Sequence, residues 1–491
     1  MNLQDTLPEY GASMDTFQAE SDPLEPTSTQ ITGVTSSDFA QNAMDQLDIL
    51  SGYSLVFAAA FLVTVLITPL IRKLAVANGI VDHPSEERKI HKWPIAYLGG
   101  VAVYLGIIAG LAFSYLTAEI PGIIDYHPMS EEHMADGMFH PIVPPWIALG
   151  MTSIVLVGLL DDITGIPPRV KLGGQLVAAA ALALGNVGIN VAAGVLKPTL
   201  GRLLDNENLI YTIPLPADIP GLGSSINLDL IYWSGTAIIA IFVLGACNAS
   251  NFIDGLDGLL TGVTAIAMVG LLAIALTMAV MDDGPFDAPR IIFGLAVLGA
   301  CLGFLPHNFN PASIFLGDTG SLLLGYCSAV MILSLGDTGK TWLVAAGLII
   351  YAIPIIDTAL AIIRRKLAGR KMSDPDSDHL HHMLKRAFGV KGAVFSLYGI
   401  GIVFCLLGVM LSYFRGRIIY ALVLMIASYI GVYAIKVARQ SQIHQHAHKP
   451  KPQTPASSAP KGRAGKSTPR MPKDSGASEI TPPSRPLPAG D

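Results

Sequence analysis

Long apolar segments recur along this chain and restrict what it can fold into. A segment of about 20 apolar residues is long enough to cross a lipid bilayer as a helix. Because the bilayer core offers the backbone no hydrogen-bond partner, each segment must pair its own N–H and C=O groups, as a helix does. The sequence therefore predicts an all-α polytopic membrane protein with about eleven transmembrane helices, at 53–70, 98–117, 145–160, 172–185, 230–247, 259–281, 291–305, 321–335, 342–363, 393–411 and 418–435.

The composition agrees with a membrane protein. Hydrophobic residues make up 51% of the chain, charged residues make up 14%, and the mean hydropathy is +0.52. A soluble chain has about 25% charged residues. The four cysteines lie in or at the ends of apolar segments, so we expect them to pack in the interior instead of forming disulfides or a zinc site.

The two ends of the chain differ in charge. Residues 1–50 contain no Lys or Arg, which predicts a disordered acidic N-terminal tail without a cleavable signal peptide. Residues 438–491 are rich in Pro, Ser, Lys and Ala, which predicts a disordered basic C-terminal tail. The transmembrane domain is expected at 51–437. A small extramembrane hairpin is expected within 186–229, where short β-branched runs lie between turn residues.

Positive charge is unevenly distributed between the two sets of loops. The loops after odd-numbered spans, together with the C-terminal tail, hold 25 of the 31 Lys and Arg residues. Cytoplasmic loops of membrane proteins carry an excess of Lys and Arg. We therefore predict that the N-terminus lies outside, and that the C-terminus and the odd-numbered loops lie in the cytoplasm.

A polar cluster separates two of the apolar spans. Asn248, Asn251, Asp254 and Asp257 follow one another at intervals of three residues, a spacing that places neighbours on one helix face. Polar groups at membrane depth are costly and usually mark a site. Their oxygens suit Mg²⁺. A polar turn between two helices is the simpler alternative.

Further acidic and basic residues fall on the same predicted cytoplasmic side. Asp161 and Asp162 end the third span, and adjacent carboxylates repel each other unless a cation or proton intervenes. Arg169 and Lys171 follow and can either offset these charges or bind phosphate. Asp318 begins the eighth span between glycines, where helix N-terminal amides can face an anion.

Two basic loops on that side contain histidines. His91 lies in the first loop, which can hold a lipid phosphate or can simply carry cytoplasmic positive charge. His379, His381 and His382 lie in the loop 364–391. They can bind a metal ion or act as donors to phosphate.

The order of these motifs resembles that of the polyprenyl-phosphate N-acetylhexosamine-1-phosphate transferases of glycosyltransferase family 4, over about residues 50–440. That family also contains phospho-N-acetylmuramoyl-pentapeptide transferase. The His-x-His-His pattern and the inside C-terminus are more similar to the branch that uses UDP-GlcNAc or a related UDP-HexNAc. That branch often has Arg two residues before the first His. Here the position is Ser377, and Arg370 or Lys371 are the candidate replacements.

The resemblance implies a reaction and its partners. A HexNAc-1-phosphate passes from a UDP-sugar to membrane polyprenyl (undecaprenyl) phosphate and UMP leaves, at the start of cell-envelope polysaccharide synthesis. The implied partners are UDP-HexNAc, polyprenyl phosphate and membrane lipid, and no nucleic acid is implied. A homodimer is compatible with the resemblance. The implied location is the inner (cytoplasmic) membrane, with the active site on the cytoplasmic face.

The resemblance also implies roles for single residues. Mg²⁺, with Mn²⁺ as an alternative, is held by Asn251 and Asp318. Asp161 and Asp162 orient or deprotonate the lipid phosphate, and Lys171 binds a phosphoryl oxygen. Asp257 is expected to contact the uracil, and Asp254 to lie in the nucleotide or metal region. The pyrophosphate or sugar is expected to contact His379, His381 and His382. Two further residues, His91 and Arg169, are expected to bind a substrate.

Two other classes of protein compete with this interpretation. An ion-coupled secondary transporter would place its acidic residues near the middle of the membrane, whereas these acids are predicted at one face. A non-catalytic membrane scaffold gives no reason for the acidic motifs to lie on one side. The sequence therefore favours an enzyme.

Overall fold

The computed structural model describes residues 36–82, 94–118, 120–126, 142–206, 208–219, 223–281, 286–367, 379–414, 422–426, 428–429, 431–432 and 436. Three groups of predictions lie outside these residues. They are the role of His91, the roles of Ser377 and of its candidate replacements Arg370 and Lys371, and the disorder predicted for the C-terminal tail 438–491 and for residues 1–35 of the N-terminal tail 1–50. These statements, and the domain boundaries, stay predictions.

Helices dominate the described part of the chain. They are α1 (Ser36–Ala77), α2 (Gly99–Thr117), α3 (Pro145–Thr164), α4 (Pro168–Leu184), α5 (Asn190–Leu196, continued by a π-helical turn, Lys197–Gly201), α6 (Leu230–Ile253), α7 (Leu259–Val280), α8 (Asp287–Asn308), α9 (Gly317–Ser334), α10 (Thr341–Ile350), α11 (Ala352–Leu367) and α12 (Leu380–Phe414). The strands are β1 (Val81–Asp82), β2 (Ile95–Ala96), β3 (Ile210–Ile219) and β4 (Gly223–Asp229).

The number of membrane-spanning helices is lower than predicted among the described residues. Seven helices are long and apolar enough to cross a bilayer, or eight if the bent pair α10–α11 is one span. Helix α4 has only 17 residues, and α9 begins with the polar sequence Gly-Asp-Thr-Gly-Ser. The predicted span 418–435 lies largely outside the described residues. The prediction of a polytopic helical membrane protein is confirmed, and the number eleven is not.

Two helices differ from the predicted spans. The span predicted at 342–363 is broken: α10 and α11 meet at an angle of 76°. Pro354 lies in the first turn of α11, and proline has no N–H to continue the hydrogen bonds of the preceding helix. Helix α1 starts at Ser36, so residues 36–50 are helical and the predicted disorder of the N-terminal tail is wrong for this part of it. Two hydrogen bonds hold the first turns of α1 against the bundle: Gln46 Nε2 donates to Thr277 Oγ1 (3.1 Å) and to Tyr413 Oη (2.8 Å).

The hairpin predicted within 186–229 is present. Strands β3 and β4 are antiparallel, and their register pairs Ile210 with Asp229 and Thr212 with Asn227. Thr212 Oγ1 donates to Asn227 Oδ1 across the pair at 2.8 Å. At its end, Asp229 Oδ1 accepts from Tyr232 N (2.9 Å) and so caps α6. The hairpin therefore leads directly into the helix that carries the polar cluster.

The interior of the bundle is formed by α7, α8 and α9. In the most apolar 18-residue stretch of each helix, 78% of the residues of α7 and 83% of those of α8 are buried, whereas in α1 only 22% are buried. Helix α9 packs against α2, α3 and α6, and small residues allow close approach at these crossings. A Cβ added to Gly100 would lie 2.1 Å from Gly320 N, and one added to Gly158 would lie 2.4 Å from Thr319 Cα.

These close crossings fix the N-terminal end of α9. The segment before α2 adds backbone hydrogen bonds to it, because Gly99 N donates to Phe315 O (3.0 Å) and Gly100 N donates to Leu316 O (2.8 Å). The N-termini of α2 and α9 and the C-terminus of α3 therefore meet at one end of the bundle, which holds the polar residues singled out above.

The orientation of this end can be tested by thiol labelling. Cysteines introduced at Ser130 and Thr338 should react with membrane-impermeant reagents in intact cells, and a cysteine at Pro375 should not, because most Lys and Arg lie on the side of Pro375. A chain whose four native cysteines are replaced is the control. Labelling at position 375 from outside would reverse the predicted orientation.

Candidate active site

The polar cluster lies at a helix end, not along one helix face. Helix α6 stops at Ile253, so Asn251 is in its last turn while Asp254 and Asp257 lie in the turn before α7. Gly258 precedes α7 with a φ of +77°, a conformation that favours glycine. The predicted single face is therefore wrong for the two aspartates.

Asn248 points to a different environment from the rest of the cluster. Its Nδ2 donates to Gln175 Oε1 (2.9 Å) on α4 and to Leu244 O (2.8 Å) on its own helix. Gln175 is fully buried. Asn248 therefore joins α6 to α4 and has a packing role.

Asp257 ties the turn before α7 to the segment before α9. Its Oδ2 accepts from Asn310 Nδ2 (2.8 Å) and Ala312 N (3.1 Å). Asn308, at the end of α8, makes a parallel set of contacts, since its Oδ1 accepts from Gly258 N (3.2 Å) and Thr261 Oγ1 (3.0 Å). These bonds hold the turn before α7 directly against the segment between α8 and α9.

Asp318 is at the centre of the charged residues. Lys171 Nζ pairs with Asp318 Oδ2 and lies 2.5 Å from Asp161 Oδ2. Asn251 Nδ2 donates to Asp318 Oδ1 and to Ser321 Oγ, both at 2.9 Å. Lys171 thus bridges two carboxylates that would otherwise repel each other. The four groups Asp161, Lys171, Asn251 and Asp318 come from α3, α4, α6 and α9 respectively.

Asp162 caps helix α9. Its Oδ1 accepts from Asp318 N (2.8 Å), and its Oδ2 accepts from Thr319 N (2.9 Å) and Thr319 Oγ1 (2.6 Å). The first N–H groups of a helix have no partner inside the helix, and a carboxylate there also complements the helix dipole. This gives Asp162 a role in positioning Asp318. The contact with lipid phosphate expected for it stays a prediction.

We expect Asp162→Ala to lower both stability and turnover. The substitution leaves two amides and one hydroxyl at the start of α9 without their acceptor, which costs about 1–3 kcal/mol per buried unsatisfied group. Thermal unfolding in detergent, compared with wild type, measures the loss. Asp48→Ala is the matched control, because Asp48 is exposed on α1. An Asp162→Ala protein as stable as the control would contradict the capping role.

A cavity of about 320 Å³ lies beside Asp318 and the polar turn before α7. Asn251, Asp254, Asp257 and Asp318 contribute polar atoms to its wall, which is completed by Tyr97, Gly255, Leu256, Asn308, Phe315, Leu316 and Gly317. The rings of Tyr97 and Phe315 lie 6.0 Å apart. Burial and the nearby Asp82 raise the pKa of Tyr97, so its hydroxyl keeps its proton. The cavity therefore has an acidic wall beside an aromatic one.

The residues fit a divalent cation such as Mg²⁺, whose preferred ligands are oxygens. Asn251 and Asp318, the predicted ligands, lie side by side, and Asp254 lines the same cavity. Burial, together with the charges of Asp318, Asp162 and Asp257, raises the pKa of Asp254 to about 8. A bound cation would offset this repulsion and keep Asp254 ionised.

The three histidines form a second cluster next to the cavity. The ring centroids of His381 and His382 lie 4.3 Å apart, and those of His379 and His381 lie 5.4 Å apart. Phe252, on the last turn of α6, has its ring centroid 6.0 Å from that of His379. A Cβ added to Gly255 would lie 2.5 Å from His381 Nε2, so His381 contacts the turn that carries Asp254 and Asp257.

Asp357 was not predicted from the sequence. It is fully buried on α11, and its Oδ2 accepts from His379 Nδ1 at 2.9 Å. A carboxylate inside the span predicted at 342–363 was the signal that could have found it. Tyr97 and Ser321 were also not predicted as site residues. Ser321 ends the glycine-framed motif of Asp318, and Tyr97 carries no distinctive sequence signal. Arg169 is exposed on the first turn of α4. Among the described residues, the predicted ones that do not themselves line the cavity are Arg169, Asp161, Asp162, Lys171, His379, His381 and His382.

Comparison with known proteins identifies the family. Residues 145–336 match the family described as Glycosyl transferase family 4. The chain is 30% identical over 359 residues to a protein of Bacillus subtilis (strain 168), the probable undecaprenyl-phosphate N-acetylglucosaminyl 1-phosphate transferase, covering 72% of this chain and 84% of that protein. This chain belongs to glycosyl transferase family 4. The family predicted from the order of its motifs is confirmed.

Two further relatives are named for two different transferase activities. The decaprenyl-phosphate N-acetylglucosaminephosphotransferase of Mycolicibacterium smegmatis is 32% identical over 346 residues, or 67% of this chain and 75% of that protein. The phospho-N-acetylmuramoyl-pentapeptide-transferase of Corynebacterium jeikeium is 31% identical over 350 residues, which cover 66% of this chain and 87% of that protein. Membership of a transferase family favours an enzyme over the transporter and scaffold alternatives.

Proposed function

We propose that this family 4 member transfers GlcNAc-1-phosphate from UDP-GlcNAc to a membrane polyprenyl phosphate and releases UMP. The observation that carries the proposal is the convergence of Asp161, Lys171, Asn251 and Asp318 from four helices beside one cavity. The names of the Bacillus and Mycolicibacterium relatives give a polyprenyl-phosphate acceptor and an N-acetylglucosaminyl group.

The proposed reaction needs positioning more than acid–base chemistry. A phosphate oxygen of the lipid attacks the β-phosphorus of the UDP-sugar, the bond from that phosphorus to the bridging oxygen breaks, and UMP leaves. Because the acceptor brings its own nucleophile, no covalent bond to the protein is needed. A phosphate with a second pKa of about 6 is mostly dianionic at neutral pH, so a general base is not required.

The charged residues would hold the two phosphorylated substrates in line. Lys171 would release Asp318 to contact a phosphoryl oxygen, and the histidine cluster would donate to the pyrophosphate or sugar. Asn251 and Asp318 would hold Mg²⁺, which, when bound, neutralises charge on the pyrophosphate; Mn²⁺ is the alternative. Placement of charged donors around the phosphates accounts for most catalysis in this type of reaction.

The active site is proposed to face the cytoplasm. The distribution of Lys and Arg supports this orientation, and the site residues lie at the ends of helices instead of midway along them. The same proposal locates the protein in the inner membrane and assigns its reaction to the start of cell-envelope polysaccharide synthesis.

The sugar donor is the sharpest test of the proposal. Purified protein is incubated with polyprenyl phosphate, Mg²⁺ and a panel of UDP-sugars, and UMP release is followed. We expect turnover with UDP-GlcNAc or a close UDP-HexNAc, and none with the UDP-linked muramoyl-pentapeptide. Turnover of the pentapeptide donor alone would assign the protein to the branch of the Corynebacterium relative, and no turnover of any donor would contradict the proposal.

A further inference from the structure

The Nδ1 sides of two histidines face one buried carboxylate. Asp357 Oδ2 accepts from His379 Nδ1 (2.9 Å) and lies 3.6 Å from His381 Nδ1. The side chains of Asp357 and His381 are each only 1% exposed. Because Asp357 occupies the Nδ1 side, the opposite ring nitrogen Nε2 of His381 lies against Gly255, in the turn that lines the cavity.

Asp357 also fixes the helix that carries the histidines. Its Oδ1 accepts from Leu380 N at 2.6 Å, and Leu380 is the first residue of α12. The carboxylate thus caps α12 from α11 while it binds the imidazole just before that helix. One side chain therefore sets the backbone, the ring orientation and the tautomer of His379, in the way that carboxylates orient functional histidines elsewhere.

We propose that Asp357 is the positioning residue of the histidine cluster. It holds Nδ1–H of His379 and keeps the cluster turned toward the turn 254–257, without itself contacting substrate. The inference rests on the proposed function, because it assigns the cluster to the binding of the pyrophosphate or sugar.

A metal ion is the competing use of the same residues. Ligand atoms of Asp357, His379 and His381 lie within 4.8 Å of one another, and His381 Nδ1 has no hydrogen-bond partner among the described residues. Both oxygens of Asp357 are already engaged by N–H groups, however, and a metal would have to displace the bond to His379. The hydrogen-bonded arrangement is therefore favoured, and metal binding is an outcome of the test.

A double-mutant cycle on the full chain tests the proposal. We expect Asp357→Asn to lower kcat about 10–100-fold, by analogy with the loss found when a group that orients a metal-ligating histidine is removed, with a smaller change in KM for UDP-GlcNAc. In a His379→Gln background the same substitution should add less than about 3-fold, because residues that act through one another are not additive. If the fold-losses in kcat of the two single variants multiply in the double variant, the proposal is overturned. Asp337→Asn is the control, a partly buried carboxylate in the turn between α9 and α10, and should change kcat less than about 2-fold.

A second measurement does not depend on turnover. In ¹⁵N NMR of histidine-labelled protein, Asp357→Asn should shift or remove the hydrogen-bonded Nδ1–H signal that His379→Gln identifies, because a neutral amide oxygen is a weaker acceptor than a carboxylate, and an unchanged spectrum would overturn the proposal. A Co²⁺ absorption band that requires both Asp357 and His381 would also overturn it, since the carboxylate would then be a metal ligand. If wild type turns over no UDP-sugar, the proposed function fails while the NMR comparison still decides the Asp357–His379 contact.

Discussion

Asp318→Asn is expected to reduce turnover at least about 10²–10³-fold while leaving a folded, membrane-inserted protein. Asp318 lies between Lys171 and Asn251, and it is a proposed ligand of Mg²⁺. A neutral amide of the same size is a weaker Mg²⁺ ligand, and losing one charged group at a reacting phosphate costs about this much. UMP release at saturating substrates measures the effect.

The backbone of Asp318 keeps its own contacts in this variant. Its N–H is bound by Asp162, so α9 should start at the same residue, and gel filtration with thermal unfolding can verify this. Asp337→Asn, remote from the cavity, is the control for introducing an amide. Near-normal turnover by a well-folded Asp318→Asn protein would remove Asp318 from the proposed metal site.

Lys171→Met is expected to have the second largest effect, a loss of about 10²–10³-fold in turnover. The substitution keeps the apolar stem and removes the cation that bridges Asp161 and Asp318. Those two carboxylates would then repel each other at the point where a phosphate must approach. Lys171→Arg, which restores the charge, should recover part of the activity.

Arg169→Met is the matched comparison for this prediction. Arg169 lies on the same first turn of α4 but is exposed, so its loss should cost much less than the loss of Lys171. Steady-state kinetics with UDP-GlcNAc compare the two variants. Equal losses would mean that general positive charge at this surface matters, and not the bridge between the two carboxylates.

The membrane fold and the family could be predicted from local sequence. Apolar length alone requires helices in a bilayer, and short motifs at the ends of these helices carry the residues that surround the cavity. Asn251, Asp254, Asp257 and Asp318 were all selected in this way, and they line one cavity. These motifs can be recognised in the sequence because the residues of each motif are close together in the chain.

The tertiary structure decided what each carboxylate does. Asp161 and Asp162 are adjacent and look equivalent in sequence, yet one pairs with Lys171 and the other caps α9, 156 residues away. Likewise Asp357 reaches His379 only because α11 packs beside the start of α12. Apolar length sets which segments cross the membrane, but a side chain's partner depends on which helix ends meet, and that is fixed by packing between segments distant in the chain.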